Sequence, residues 1–194
     1  SYDKNYRNTD RIYRLVKVDE DKGKISKGVY MPAALAKALM DDYPEIEKAG
    51  RICNIETFGA GSNQIRREDK LDNSFEKGVV YADNETLEIL EAQFILGNPQ
   101  NALNEVNSMV ITKSRANKFF PNENPIGKTI LINNDIKKPY KIIGVIEDFP
   151  ENSHLEYHYF ISLQNIFTDI FGEKEQFSWS GNRYLTYCLV KEGT

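Results

Sequence analysis

Residues 108–155, SMVITKSRANKFFPNENPIGKTILINNDIKKPYKIIGVIEDFPENSHL, constrain the fold more than any other part of the chain. Runs of β-branched and aromatic residues are too short for helices and are cut by Pro, Gly and Asn, so they read as strands. The stretch predicts a strand at 109–111, then a helix opened by Thr112, turned inward by Ala116 and Phe119, and ended by Pro121. A Pro/Gly turn leads to strands at 128–132 and 140–146, joined at Asn133-Asn134-Asp135, and then to a polar loop carrying Pro150. Strand, helix and strand in succession form the unit of an α/β or α+β lobe.

The flanks repeat this pattern. Residues 12–18 read as a strand with one well-buried face, and 24–30 return as its hairpin partner across the turn at 19–23. Pro32 opens a helix whose Leu35, Leu39 and Tyr43 form an apolar stripe, with Ala36 and Met40 beside it and Pro44 as its stop. Asp41 and Asp42 stand where the helix dipole disfavours them. Strands are predicted at 49–58 and 75–82, with the charged segment 64–72 as a solvated hairpin tip between them. Asp83 is a candidate cap for a helix at 84–91, and 98–106 reads as a polar connector. Beyond the central stretch come a strand at 159–163, a short helix at 164–171, a loop anchored by Trp179, and a final strand at 183–190.

A chain of 194 residues with 40% hydrophobic residues can bury a sizeable core as one domain or two small lobes. The net charge of −4, with scattered Lys and Arg, excludes nucleic acid as an expected partner. Neither does it favour an anionic membrane surface. No apolar run is long enough to span a bilayer. The chain begins at Ser1 without Met or a signal peptide, and so reads as a processed product or a fragment of a larger protein. Cys53 and Cys188 lack metal-type spacing and read as buried thiols on strands in preference to a disulfide, a pairing that sequence alone leaves open.

Two half-motifs suggest chemistry. Gly127-Lys128-Thr129 is the second half of a phosphate-binding loop, but Asn122 stands at the first glycine, Pro125 removes an N–H donor, and a strand follows the lysine. His154 and His158 are spaced four apart, yet Leu155 follows the first histidine where a zinc peptidase needs Glu. A strand through 157–160 would leave no third ligand. No nucleophile elbow exists, since Ala60 and Gln64 occupy the glycine positions around Ser62. The adjacent carboxylates Glu147-Asp148 and Asp41-Asp42 read as solvated charges. The sequence therefore assigns no catalytic, cofactor-binding or metal-binding residues.

The ordered set of segments resembles the periplasmic domain of MacB/FtsX-type ABC-transporter permeases, in the form with a separate ATPase subunit. Asn8-Thr9-Asp10-Arg11-Ile12-Tyr13-Arg14 is similar to the family's entry into its first strand. Tyr43-Pro44-Glu45-Ile46-Glu47 is similar to its helix end. Residues 81–83 through 94–99 and 102–103 follow its "D…F…F…G-x-p…A-L" passage. The strongest pieces are Val110-Ile111-Thr112-Lys113-Ser114, Asn124-Pro125-Ile126-Gly127-Lys128, Gly144-Val145-Ile146 and Asp148-Phe149-Pro150-Glu151-Asn152-Ser153-His154. Leu87 and Leu90 depart from the family's aromatics, and Arg115-Ala116-Asn117 departs from its Leu-Ala-Lys, so no subfamily substrate is assigned.

The resemblance implies a porter-like βαβ lobe from 1–119 with 182–194, and an inserted, mostly β, sabre-like lobe at 120–181. It implies a non-catalytic domain at the periplasmic face of the bacterial inner membrane, which transmits ATP-driven movement for substrate export or to envelope-protein partners. The implied partners are a cytoplasmic ABC ATPase subunit, a second permease subunit in a homodimer or heterodimer, and a periplasmic adaptor. Pro125-Ile126-Gly127 would shape a turn and 148–154 a loop. The alternatives are a free-standing envelope module for a peptide or lipid, which requires a preformed apolar pocket, and a metal-dependent hydrolase resting on His154 and His158.

Overall fold

The computed structural model describes residues 10–150 and 155–193. The chain forms, in order, β1 (Ile12–Arg14), β2 (Lys17–Asp21), β3 (Lys24–Gly28), β4 (Tyr30–Met31), α1 (Leu35–Asp42), β5 (Ile46–Cys53), β6 (Gly61–Arg67), β7 (Ser74–Ala82) and α2 (Asn84–Ile89). There follow β8 (Phe94–Gly97), β9 (Ser108–Thr112), α3 (Lys113–Phe119), β10 (Thr129–Ile132), β11 (Tyr140–Ile146), β12 (Tyr159–Ser162), α4 (Gln164–Ile166) and β13 (Tyr184–Val190). The fold is mixed α+β and mostly β. No helix among the described residues is long and apolar enough to cross a membrane.

Six strands close into a barrel-like sheet in the order β7-β12-β9-β11-β10-β6, with β6 returning to β7. β7 runs parallel to β12 and β9 parallel to β11, whereas the other four pairings are antiparallel. From β7 the same sheet extends outward through β5 and β13 to β1, with β4 also on β13 and β8 on β11.

Strand alternation sends side chains to two cores. Val79, Tyr81, Met109, Ile111, Tyr159 and Ile161 fill the barrel-side core. Their neighbours Val80, Ala82, Val110 and Phe160 face the other way, into a second core beneath α2 and Leu103. β9 is buried at every residue, which explains its continuous apolar run.

Four local expectations are corrected. The segment 64–72 is no solvated tip: β6 is a barrel strand, and Ile65, Arg66 and Arg67 are buried. The arginines can enter the structure because their heads are paired. Arg66 donates to the carbonyls of Arg67 and Lys70 and to Asn134, while Arg67 lies 4.7 Å over the Phe120 ring between Asp69 and Glu123. The connector at 98–106 buries Ala102 and Leu103, because Asn84 bonds both Pro99 O and Leu103 N across it. Trp179 is 63% exposed, so it is not a buried anchor among the described residues. The strand at 12–18 has no well-buried face either. It breaks after Arg14, and residues 16–28 are all exposed.

Candidate functional site

Two of the pieces that carry the family resemblance, residues 110–114 and 148–149, meet at one junction, where α3 leaves β9. α3 leaves β9 after Thr112, whose side chain makes no capping bond. The cap comes instead from Asp148, 34 residues beyond Ser114. One carboxylate oxygen accepts from Ser114 N at 2.9 Å and the other from the Ser114 hydroxyl. Lys113 adds an ion pair to Glu147 at 3.2 Å. Burial alone would raise the Asp148 carboxyl. The bonds from Ser114 and Thr112 and the nearby His158 outweigh it and hold the group below its ordinary value.

On its inner side α3 presents Arg115 and Lys118, three residues apart and therefore on one face. Both meet Glu76 of β7, a carboxylate only 3% exposed. Lys118 donates to one oxygen of Glu76, and Ser74 donates to the same oxygen at 2.6 Å. Tyr159 donates to the other at 3.0 Å, where Arg115 Nε lies 3.1 Å away without hydrogen-bond alignment. Burial pushes the Glu76 carboxyl up. The bonds from Lys118, Ser74 and Tyr159 and the charge of Arg115 reverse that and leave it lowered.

Sequence reasoning missed Glu76. The strand 75–82 alternates correctly on either side of Gly78 but changes phase across it. The β6–β7 register slips there by one residue, from Gly61↔Val79 to Asn63↔Glu76. Gly78 has φ +79°, and a Cβ at this position would lie 2.3 Å from Glu156 O. The bulge lets Glu76 and Val79 both face inward. Arg115 and Lys118 three apart were the available signal.

His158 sits beside this junction, half-buried. Its backbone bridges two strands, with His158 N donating to Gly78 O and Thr112 N donating to His158 O. Burial and Arg115 lower its pKa against the pull of Asp148, Glu76 and Glu156. His154 lies outside the described residues. No group of three metal-ligating side chains occurs among the described residues.

The phosphate-loop half-motif is committed elsewhere. Gly127, φ +82°, occupies the third position of a turn in which Lys128 N donates to Pro125 O, as a type II turn requires. Gly127 N itself donates to Ile142 O at 2.8 Å. Lys128 pairs with Glu123 at 2.7 Å, and the Thr129 hydroxyl donates to Glu68. Lys128 and Thr129 do line an open cleft of about 230 Å³ with Arg67, Glu68, Asp69 and Phe120, but its cations already face carboxylates. Asp83, expected to cap α2, serves Arg51 instead. It accepts from Arg51 Nε at 2.7 Å and from Nη2 at 3.0 Å, while Arg51 Nη1 donates to Ala33 O. Cys53 and Cys188 are free, buried thiols, raised by burial. Cys188 stands opposite Ala49, four residues along β5 from Cys53, or about 13 Å at the usual rise per residue.

The profile of the MacB-like periplasmic core domain matches residues 2–193. The chain belongs to that family. Over 86 residues, 42% of its length, this MacB-like domain is 34% identical to the macrolide export ATP-binding/permease protein MacB of Aggregatibacter actinomycetemcomitans, and it spans 13% of that protein. Its fold is similar to a solved domain attributed to a permease protein of Porphyromonas gingivalis, with TM-score 0.76 at 22% identity, covering 95% of this chain and 77% of that one. It is also similar to the periplasmic region of MacB from Actinobacillus actinomycetemcomitans, with TM-score 0.65 at 15% identity, covering 100% and 81%. The extracellular domain of the ABC-type transporter YknZ from Gram-positive bacteria follows, with TM-score 0.52 at 14% identity, covering 84% and 82%.

The junction makes a direct prediction for this MacB-like domain. Asp148→Ala removes the side-chain cap that α3 has among the described residues and should cost about 1 kcal/mol. Hydrogen exchange should then speed at the amides of Lys113 and Ser114 while those of β9 keep their protection. Unchanged exchange at Ser114 would show that Asp148 does not hold the helix.

Proposed function

We propose that the domain is the extracytoplasmic part of an ABC-transporter permease and that it transmits movement without doing chemistry. The observation that carries this reading is the use to which the family motifs are put. The residues 110–114 and 148–149, and the turn at 125–128, are spent on joining α3, the barrel and the loop after β11 into one body. ATP would be hydrolysed by a separate cytoplasmic ATPase, coupled through the membrane part of the permease, with a second permease subunit beside it and a periplasmic adaptor beyond. The site of action is the periplasmic face of the inner membrane, and the work is substrate export.

The division into a porter-like part, 1–119 with 182–194, and an inserted sabre-like part, 120–181, belongs to the same proposal. β10, β11 and β12 pair with β6, β7, β8 and β9 across that division. The two parts therefore share one ladder and move together. Residues 120–181 made alone should not fold, because they would lose those partners. A cooperative thermal transition for the excised segment, followed by circular dichroism, would contradict the shared-body proposal.

The transmission role is tested by replacing residues 10–193 with a short flexible linker in the full-length permease, reconstituted with its ATPase. ATP hydrolysis should persist and export should stop. Export that survives the deletion would end the proposal.

A further inference from the structure

His158 is pinned where α3 meets the barrel. Its main chain donates to Gly78 O at 2.9 Å and accepts from Thr112 N at 3.0 Å, so it ties β7 to the end of β9. Its ring is held as well. Nδ1 lies 3.5 Å from the Thr112 hydroxyl, and Cδ2 rests over Gly78, where a Cβ would come within 3.0 Å of it. The Thr112 hydroxyl stands 3.3 Å from that of Ser114, which bonds Asp148. The charged groups that face this half-buried ring are Arg115 from α3, Asp148 from the loop after β11, Glu76 from β7 and Glu156 of its own segment.

Arg115 is the most loosely held of these. Glu76 is already bonded by Lys118, Ser74 and Tyr159, whereas Arg115 Nε stands 3.1 Å from it, buried and without a hydrogen bond. A buried donor left unbonded is costly, so this side chain gains little by staying where it is. It is also 26% exposed and has a way out to water. α3 itself is seven residues long and buries only Ala116 and Phe119. Its seat on β7 therefore depends on both of its cations, Arg115 and Lys118.

We propose that His158 is a proton-operated latch: a second proton on its ring drives Arg115 off Glu76 and loosens α3 from β7 while the barrel stays folded. The ring cannot retreat, because Thr112 and Gly78 hold it on two sides and its main-chain bonds do not titrate. The repulsion between two like charges is then relieved by the partner that can move, which is Arg115. Glu76 is not stranded when Arg115 leaves, since Lys118, Ser74 and Tyr159 remain on it. Asp148 still caps α3. Burial and the charge of Arg115 place the titration below 6.5, so the latch is closed at neutral pH and opens on acidification. Every group in it lies within this chain, so the latch does not depend on the transport reading.

The test is nuclear magnetic resonance on the 194-residue chain, titrated from about pH 8 to about pH 5. The His158 ring signal gives its midpoint. Amide exchange, corrected for its intrinsic pH dependence, gives the protection of residues 117–119 in α3 and 109–111 in β9. Protection in α3 should fall several-fold with the same midpoint as the His158 ring, while that in β9 stays constant. His158→Gln should abolish the step in α3. Arg115→Gln should abolish it too, and should raise the His158 midpoint by removing the cation beside the ring. The titration of the unsubstituted chain decides the case if either variant fails to fold. Protection in α3 that holds through the His158 midpoint, or a joint loss in α3 and β9, overturns the latch. An α3 step that survives in folded His158→Gln, or a His158 midpoint unmoved in folded Arg115→Gln, overturns it as well.

Discussion

Phe160→Ala is expected to lower the unfolding free energy by about 3–5 kcal/mol, the range for deleting a buried aromatic ring. Phe160 has no exposed surface and sits in the middle strand of the β7-β12-β9 triplet, opposite Val80 on one side and Val110 on the other. Its ring also meets Phe149 and Tyr157, each at 6.0 Å between centroids. The cavity would therefore open at the point where the second core meets the loop after β11, and few side chains there can collapse into it. Urea unfolding of the purified domain should show the loss as a lower midpoint with an unchanged slope. In a domain of this length the melting temperature should fall by about 10 °C. Phe177→Ala is the control, because Phe177 is 63% exposed and its removal should stay within about 0.5 kcal/mol. Equal effects from the two substitutions would mean that β12 does not run through the core.

Glu76→Ala should cost about 2–3 kcal/mol, since it leaves the buried Tyr159 hydroxyl without its acceptor and two cations without their carboxylate. The figure stands below that for a fully buried pair because Lys118 and Arg115 keep partial access to water, with side chains 46% and 26% exposed. The same group makes stability depend on pH. Its folded-state pKa lies below the ordinary 4.5, so its contribution is complete above pH 4.5 and is lost as the pH falls through the folded value. His158 adds a step of the same sign at higher pH. Its folded-state pKa lies below 6.5, so the unfolded chain takes up the proton first and stability drops as the pH falls from 6.5 toward the folded value. Denaturant midpoints measured down from pH 8 should therefore decline in two stages. Glu76→Gln should shrink the lower one, leaving the part that Asp148 carries, and keep the upper one, slightly enlarged because Glu76 no longer pulls the His158 pKa up. A lower stage undiminished in Glu76→Gln would assign it wholly to other carboxylates.

The strands were legible where short β-branched runs ended at Pro, Gly or Asn, which is why 109–111, 128–132, 140–146 and 183–190 stand close to their observed positions. The α+β class and the family were legible for the same reason. β6 was not, because Arg66 and Arg67 look solvated until Asn134, Asp69, Glu123 and Phe120 are known to surround them. Closure of the barrel depends on β6 pairing with β10 some 65 residues away, and no local pattern encodes that. The junction at α3 was half legible. Its motif residues were recognised in order, but the Ser114–Asp148 bond joins segments 34 residues apart, and the bulge at Gly78 hid Glu76 by shifting the phase of its strand. Residues 16–28 have the composition of a half-buried hairpin, in Val16, Val18 and Ile25, yet among the described residues nothing packs on them and all are exposed.

The most direct test of a rigid, force-carrying domain is a pair of electron-spin distances in the full-length permease with its ATPase, taken with and without trapped nucleotide. Leu71 and Ile136, 87% and 71% exposed, lie on either side of the proposed division at residue 120 and can carry labels without disturbing the core. The rigid-body mechanism predicts that the Leu71–Ile136 distance within one copy stays constant while the Leu71–Leu71 distance between copies changes with nucleotide. A nucleotide-dependent change within the copy, or no change between copies, would contradict it.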